Sequence, residues 1–404
     1  MTTLLLVGLN WASVISVIMV LPLIGLALVG VWGLAHIADA IEARSRIPAS
    51  VLLVALGSLL ALTPWSPPAL SRETLMTVLL APLLFEGARA VDIPTLRSDM
   101  RIILSLAIAG TLIASLIVVA VLVGGLRWPL ATVLPFAALI AATDPVAVIA
   151  TFRSVGLGGR LLTLVESESL LNDAVAAVVL SLVPMLLGTA PATGAAFLRL
   201  VVQEVGLACV LGMGAGALLS ALARRLRHPG IVSVLQLLGA IAIAAVSQWL
   251  HASAVLATVL AGLWVAARPI APTPAHRDAL LGYGHLANTV VFLLIGAYAG
   301  PALRSNAAAI AVASLAVLGA RAGAVYPLAS LFRRTRAAIP WAYQHVLVAG
   351  GLRGALALVL ILPSTTDASV TAPFALTVGV VAVSVVLQGL AIPTVLRRLG
   401  LGSR

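Results

Sequence analysis

Apolar residues run along this chain in blocks of about 20, the length that crosses a bilayer as a helix. Polar residues gather in the short gaps between them. Thirteen blocks can be drawn, at approximately 12–37, 48–63, 74–90, 100–123, 130–152, 162–187, 198–223, 230–249, 252–267, 284–302, 306–331, 341–362 and 371–395. The pattern predicts an all-α polytopic membrane protein with about 13 transmembrane helices. The first apolar stretch extends from Leu4 to His36 with Pro22 inside it. As one helix it reaches about 50 Å, so it is either a single kinked, tilted crossing or two short helices.

Arginine placement tests this division. The loops after odd-numbered spans with the span ends that adjoin them, together with the C-terminal tail, hold 18 arginines, and the loops and adjoining span ends after even-numbered spans hold 4. One miscounted span in the middle would scramble that split. Because positive charge collects on the cytoplasmic side, the C-terminus is expected inside the cell. The N-terminus is expected outside if the first run crosses once, in a multi-pass protein of the plasma (inner) membrane. Spans 4–6 and 11–13 form comparable triplets, one closing each half of the chain. Six spans on either side of span 7 would face opposite ways, the arrangement of inverted-repeat secondary transporters. No internal repeat is visible residue by residue, so this expectation rests on topology.

Composition narrows the function classes. Only 9% of residues are charged, against about 25% in soluble domains. The formal charge of +11 resides in loop arginines, so it points to membrane topology and not to nucleic acid. All basic residues are arginine, which excludes Schiff-base chemistry and a P-loop. The single cysteine, Cys209, offers no disulfide or thiolate metal site. No H-E-x-x-H pair and no G-x-S-x-G elbow occurs, so no catalytic set and no cofactor are expected, and the protein does not read as an enzyme. The N-terminal run lacks a basic leader, the first arginine being Arg44, so a cleaved signal peptide is not expected.

The intramembrane charges are therefore the candidate chemistry. An acid at the centre of a spanning helix costs roughly 2.5–3.5 kcal/mol on insertion scales. Glu86, Asp144, Glu168, Asp173 and Glu204 fall inside spans, with Glu166 at a span start, and Arg321 and Arg353 are embedded too. The other seven acids, Asp99 among them, fall in loops or at span ends and read as solvated. Glu204 stands alone and reads as a helix contact, and Glu86 could snorkel beside Arg89. In span 6, Glu168, Ser169, Asn172 and Asp173 share one arc of about 140°, a set of hard oxygen ligands suited to a small cation. In span 5, Thr143-Asp144-Pro145 breaks an apolar helix, and Pro145 frees the carbonyl of Ala141. Span 12 carries Gly350-Gly351-Leu352-Arg353-Gly354. Broken helices in matching positions of two halves point to a transport site.

These residues give the chain its resemblance. It resembles the NhaP and NHE type of sodium/proton antiporters, the monovalent cation:proton antiporter-1 family. The strings that carry the likeness are PLLFEGA at 82–88, TDPVAV at 143–148, ESLLNDAV at 168–175, LGARAGAVYPL at 318–328, GGLRGALAL at 350–358 and LQGLAIP at 387–393. By that resemblance the fold has thirteen spans, with spans 5 and 12 broken and crossing. Segments 99–190 and 305–404 (spans 4–6 and 11–13) form a mobile core. Segments 1–98 and 191–304 (spans 1–3 and 7–10) form a panel that makes a homodimer. Asp173 alternately binds proton and monovalent cation and Asn172 orients it. Ser169, the backbone of Thr143 and Glu86 complete the cation shell, with Asp144 at the helix crossing. Glu168 and Arg321 form a structural salt bridge, and Arg353 balances helix-end charge in the span 12 break. Asn172-Asp173, with no lysine, implies electroneutral exchange of one sodium or lithium for one proton. A potassium/proton antiporter of the same fold and a cation channel are the alternatives.

Overall fold

The computed structural model describes residues 29–45, 47–63, 71–145, 148–149, 151–152, 156–226, 228–268, 274–335, 337–362 and 372–401. Side chains at 229, 274–281 and 305 are excepted. The question raised by Pro22, one helix or two, lies outside these residues. So do Val146 and Ala147 of the TDPVAV string.

Helices account for nearly all of the described chain, in the order expected. The first two are α1 (29–45) and α2 (Ala49–Leu60). Next come α3, running through Arg72–Thr74, Leu75–Leu80 and Ala81–Ala90, and α4 (Ile93–Gly125). The following two are α5 (Leu130–Ile140) and α6 (Arg160–Leu186). Then come α7 (Gly194–Arg225), α8 (Pro229–Trp249), α9 (Ala254–Ala266), α10 (Gly282–Arg304) and α11 (Asn306–Leu331). The last are α12 (Trp341–Ala349), α13 (Ala355–Ile361) and α14 (Ala372–Arg398). A non-helical Asn306 separates α10 from α11. Seven of these helices are long and apolar enough to cross a membrane by length and composition. The chain is a multi-pass, all-helical membrane protein.

Within lipid there is little hydrophobic drive between apolar helices, so association depends on close packing at small residues. Gly57 on α2 and Gly296 on α10 let the two helices approach backbone to backbone. A Cβ on Gly57 would fall 2.1 Å from the Leu293 carbonyl oxygen, and one on Gly296 would fall 2.1 Å from that of Val54. Gly212 and Gly216 seat α7 on Ala257 and Ala261 of α9 in the same way, and Gly262 of α9 lies against Phe85 of α3. Helices α4, α5, α6, α11 and α14 also pack together, with Gly379 of α14 against Ile310 of α11. Residues lining these contacts form one large buried cluster and a smaller one around α7–α9.

One loop-end acid departs from the sequence reading. Asp99, read as solvated, is buried at 3% exposure. Arg160 at the start of α6 donates to it twice, Nε to Oδ2 at 2.7 Å and NH2 to Oδ1 at 2.8 Å. A third Arg160 bond, to the Ala338 carbonyl at 3.0 Å, brings in the segment before α12. Hydrophobicity alone could not have found this, because an acid near a span end is equally compatible with water or with a bidentate arginine.

Candidate cation-binding site

Two non-helical stretches, 143–145 after α5 and 351–354 between α12 and α13, carry the site, and each follows from its sequence. Helix α5 stops at Ile140 and the chain runs without helix through 143–145 before turning helical again at 148–149. Proline removes the donor that would have served the Ala141 carbonyl. That carbonyl is taken instead by Arg353, whose NH1 donates to Ala141 O at 2.7 Å and to Ala142 O at 2.8 Å. The second break lies between α12 and α13, where 351–354 is non-helical. There Arg321 Nε donates to the Leu347 carbonyl at 3.2 Å. Both arginines thus sit at the negative ends of half-helices, where a cation is stabilising.

The two breaks are tied to each other. The backbone N–H of Asp144 donates to Leu352 O at 2.7 Å, and the N–H of Ala355, first residue of α13, donates to Asp144 Oδ2 at 3.3 Å. A carboxylate at the positive start of a helix matches that dipole. Arg353 therefore serves the end of α5 and not, as the resemblance implied, the break of its own span. The crossing is tight. A Cβ on Gly354 would lie 1.8 Å from Asp144 Oδ2 and 2.2 Å from Asp144 Cβ. Gly354→Ala should therefore move Asp144 off the α13 terminus, costing about 1–3 kcal/mol for the overpacking and most of the transport rate. Thermal unfolding in detergent alongside vesicle transport checks it; unchanged stability and rate would contradict this crossing.

Helix α6 supplies the rest. Glu168 is 1% exposed and receives Arg321 through two bonds, NH1 to Oε1 and NH2 to Oε2, both at 2.8 Å. Asn172 Nδ2 donates to Glu168 Oε1 at 2.8 Å and to Thr143 Oγ1 at 2.8 Å, while its Oδ1 accepts the Thr143 N–H at 3.1 Å. Ser169 Oγ lies 3.0 Å from Thr143 Oγ1. The network clamps the non-helical stretch of span 5 onto α6 and satisfies its backbone, as buried backbone requires.

In front of this clamp is a cavity of about 250 Å³, large enough for several waters. Four carboxylates line it: Asp173, Asp144, Glu86 and Glu166. Asp173 is 8% exposed, and no described residue donates a hydrogen bond to its carboxylate. Of the predicted ion-binding residues, Asp173, Asp144, Thr143 and Glu86 are brought together on this wall. Ser169 and Asn172 are not among the lining residues and stand behind Thr143. Asn172 spends its amide on Thr143 and Glu168 and gives Asp173 no hydrogen bond.

Three cavity residues escaped the sequence reading: Glu166, His285 and Asn288. Glu166, which the sequence puts only at a span start, is 8% exposed and faces the cavity. A signal was available, since positions 166 and 173 are seven apart and so share a helix face. His285 and Asn288 had none, because only tertiary packing brings α10 to the cavity. At its rim His285 Nε2 lies 2.7 Å from Asp39 Oδ2 on α1. Glu204, read as a helix contact, accepts a bond from Ser181 Oγ at 3.0 Å.

Comparison with known proteins shows the family and the fold. The family described as sodium/hydrogen exchanger, transmembrane, matches residues 24–398. The chain is 33% identical to the Na(+)/H(+) antiporter NhaS2 of Synechocystis, covering 88% of this chain and 67% of that one. It is 34% identical to the Na(+)/H(+) antiporter ApNhaP of Aphanothece halophytica, covering 88% and 70%. In fold it is similar to the sodium proton antiporter MjNhaP1 of Methanocaldococcus jannaschii, with a TM-score of 0.73 at 20% identity over 95% of this chain and 99% of that one. The chain belongs to the transmembrane sodium/hydrogen exchanger family.

Proposed function

We propose that this protein exchanges sodium, or lithium, for protons across the plasma membrane, one for one, with Asp173 holding either the proton or the cation. The observation that carries this reading is the difference between two acids on one helix. Glu168 is fully engaged by Arg321 and Asn172, whereas Asp173 faces the cavity with no described donor on its carboxylate. A carboxylate whose partner is fixed cannot trade a proton for a cation; one that faces a water-sized space can. The relatives' sodium/proton antiport supports the choice of ions.

In this mechanism Asp144, Glu86 and Thr143 complete the oxygen shell around a cation at Asp173. Ser169 and Asn172 hold Thr143 in place behind it. Thirteen crossings, a cytoplasmic C-terminus and a homodimer built on the α1–α3 and α7–α10 panel belong to the same reading. Segments 99–190 and 305–404, which contain both helix breaks, would move together as the core. Alternating access then needs no further chemistry: the loaded site crosses, and the bare carboxylate stays. The absence of lysine and the Asn172-Asp173 pair favour electroneutral exchange.

Competition for one carboxylate has a quantitative consequence. The half-saturating sodium concentration should rise as pH falls, approaching about tenfold per pH unit on the acid side for one-proton competition, while the maximal rate stays nearly constant. Sodium titrations of proton flux in everted membrane vesicles at several pH values test this. An affinity for sodium that does not change with pH would be incompatible with a shared site.

A further inference from the structure

The cavity is longer than one ion needs. Glu166 and Asp173 lie on the same face of α6 two turns apart, about 10 Å along the axis at 1.5 Å per residue, and both line the same space. Leu170 stands between them, also lining the cavity, with its side chain against Gly87 of α3. The polar wall is thus divided, with an inner carboxylate beyond an apolar side chain and an outer one before it. Glu166 lies on the half of α6 nearer Gly159 and Arg160, in a loop that the arginine distribution assigns to the cytoplasm. The ends of α3 and α10 that contribute Glu86, Gly284 and His285 belong to the same side.

Two observations show that this space is prepared for a cation and is more than a crowd of acids. Asp173 is more than nine-tenths buried and is unbonded by any described residue while lining the cavity. Asn288 of α10 also lines the cavity, and its amide oxygen is buried and accepts no hydrogen bond. An oxygen in that state costs free energy, and a hard cation passing through would satisfy it. Along α6, Glu166 stands between Asp173 and the helix start at Arg160.

We propose that Glu166 is an outer cation-docking carboxylate, which receives a monovalent cation at the cytoplasmic half of the cavity before Asp173 takes it. This rests on the exchange reading for its transport consequence, though not for the binding itself. Glu166 does not complete the Asp173 shell. Its charge raises the local cation concentration and lowers the sodium concentration needed for loading.

The test separates affinity from turnover. In everted vesicles, Glu166→Gln should raise the half-saturating sodium concentration roughly three- to tenfold, the effect of one charge about 10 Å away at intermediate dielectric. The maximal rate should stay within about twofold, and Glu166→Asp should recover most of the wild-type affinity. A second arm uses purified protein, in which the sodium concentration that half-maximally raises the unfolding temperature should shift in the same direction. If wild-type vesicles move no protons on adding sodium but the stabilisation midpoint still shifts, exchange is refuted and the docking role stands. If Glu166→Gln leaves both midpoints unchanged, or lowers maximal rate and stability with no change in either midpoint, Glu166 is a structural residue and the proposal is overturned.

Discussion

Replacing Asp173 with asparagine should abolish sodium-driven proton movement while leaving a folded, extractable protein. The two halves of that outcome have different physical sources. Asparagine keeps the volume of aspartate, and the Asp173 carboxylate takes part in none of the bonds that clamp span 5 to α6; those run through Glu168, Ser169, Asn172 and Thr143. Removing a buried, unbonded charge relieves desolvation, so stability should hold or rise. Transport should fall to the vesicle background, because a neutral amide neither titrates nor offers a cation its charge. Dequenching of a pH dye in everted vesicles, normalised to expression, measures it. Full dequenching by well-expressed Asp173→Asn would remove Asp173 from the centre of the mechanism.

Arg321→Ala should show the opposite pattern, losing stability together with transport. The guanidinium makes two 2.8 Å bonds to Glu168 and one to the Leu347 carbonyl at the end of α12. Removing it leaves Glu168, 1% exposed, as an uncompensated buried charge, and removing one partner of such a pair typically costs roughly 3–5 kcal/mol. Arg353 does not rescue it, since its NH1 is held by Ala141 and Ala142. Neutralising both partners together as Glu168→Gln with Arg321→Met should recover much of the stability, because no charge is then stranded. Thermal unfolding of the purified single and double variants checks this. Additive losses in the double variant would contradict the pairing.

The two variants separate roles that the sequence presents as one cluster. Charges at helical spacing in an apolar span announce that something is partnered or working there. The spacing between Glu168 and Asn172 correctly puts them on one face, and the bond between them follows. Pro145 reaches further, since it marks Ala141 as the carbonyl left without a donor, and that carbonyl is where Arg353 binds. What local sequence cannot supply is the partner across the fold. Arg321 lies 153 positions from Glu168 and Arg353 lies 212 from Ala141, separations that no periodicity encodes. For Glu168 and Arg321 the family resemblance fills that gap. For Asp99 nothing does: its place near a span end reads as solvated, although it is buried against Arg160. Glu166 is misplaced for a different reason, because nearness to a span start outweighs its helical phase relative to Asp173. The broad fold is the most legible part, because a bilayer admits helices of one length and arginine marks their ends.

Purified protein in liposomes, given a sodium gradient with and without an imposed voltage, tests the central claim most directly. Sodium, and lithium in its place, should drive proton movement in the opposite direction at a rate that voltage does not change, and Asp173→Asn should abolish it. Current without proton movement, or proton movement driven by potassium and not by sodium, would contradict the account.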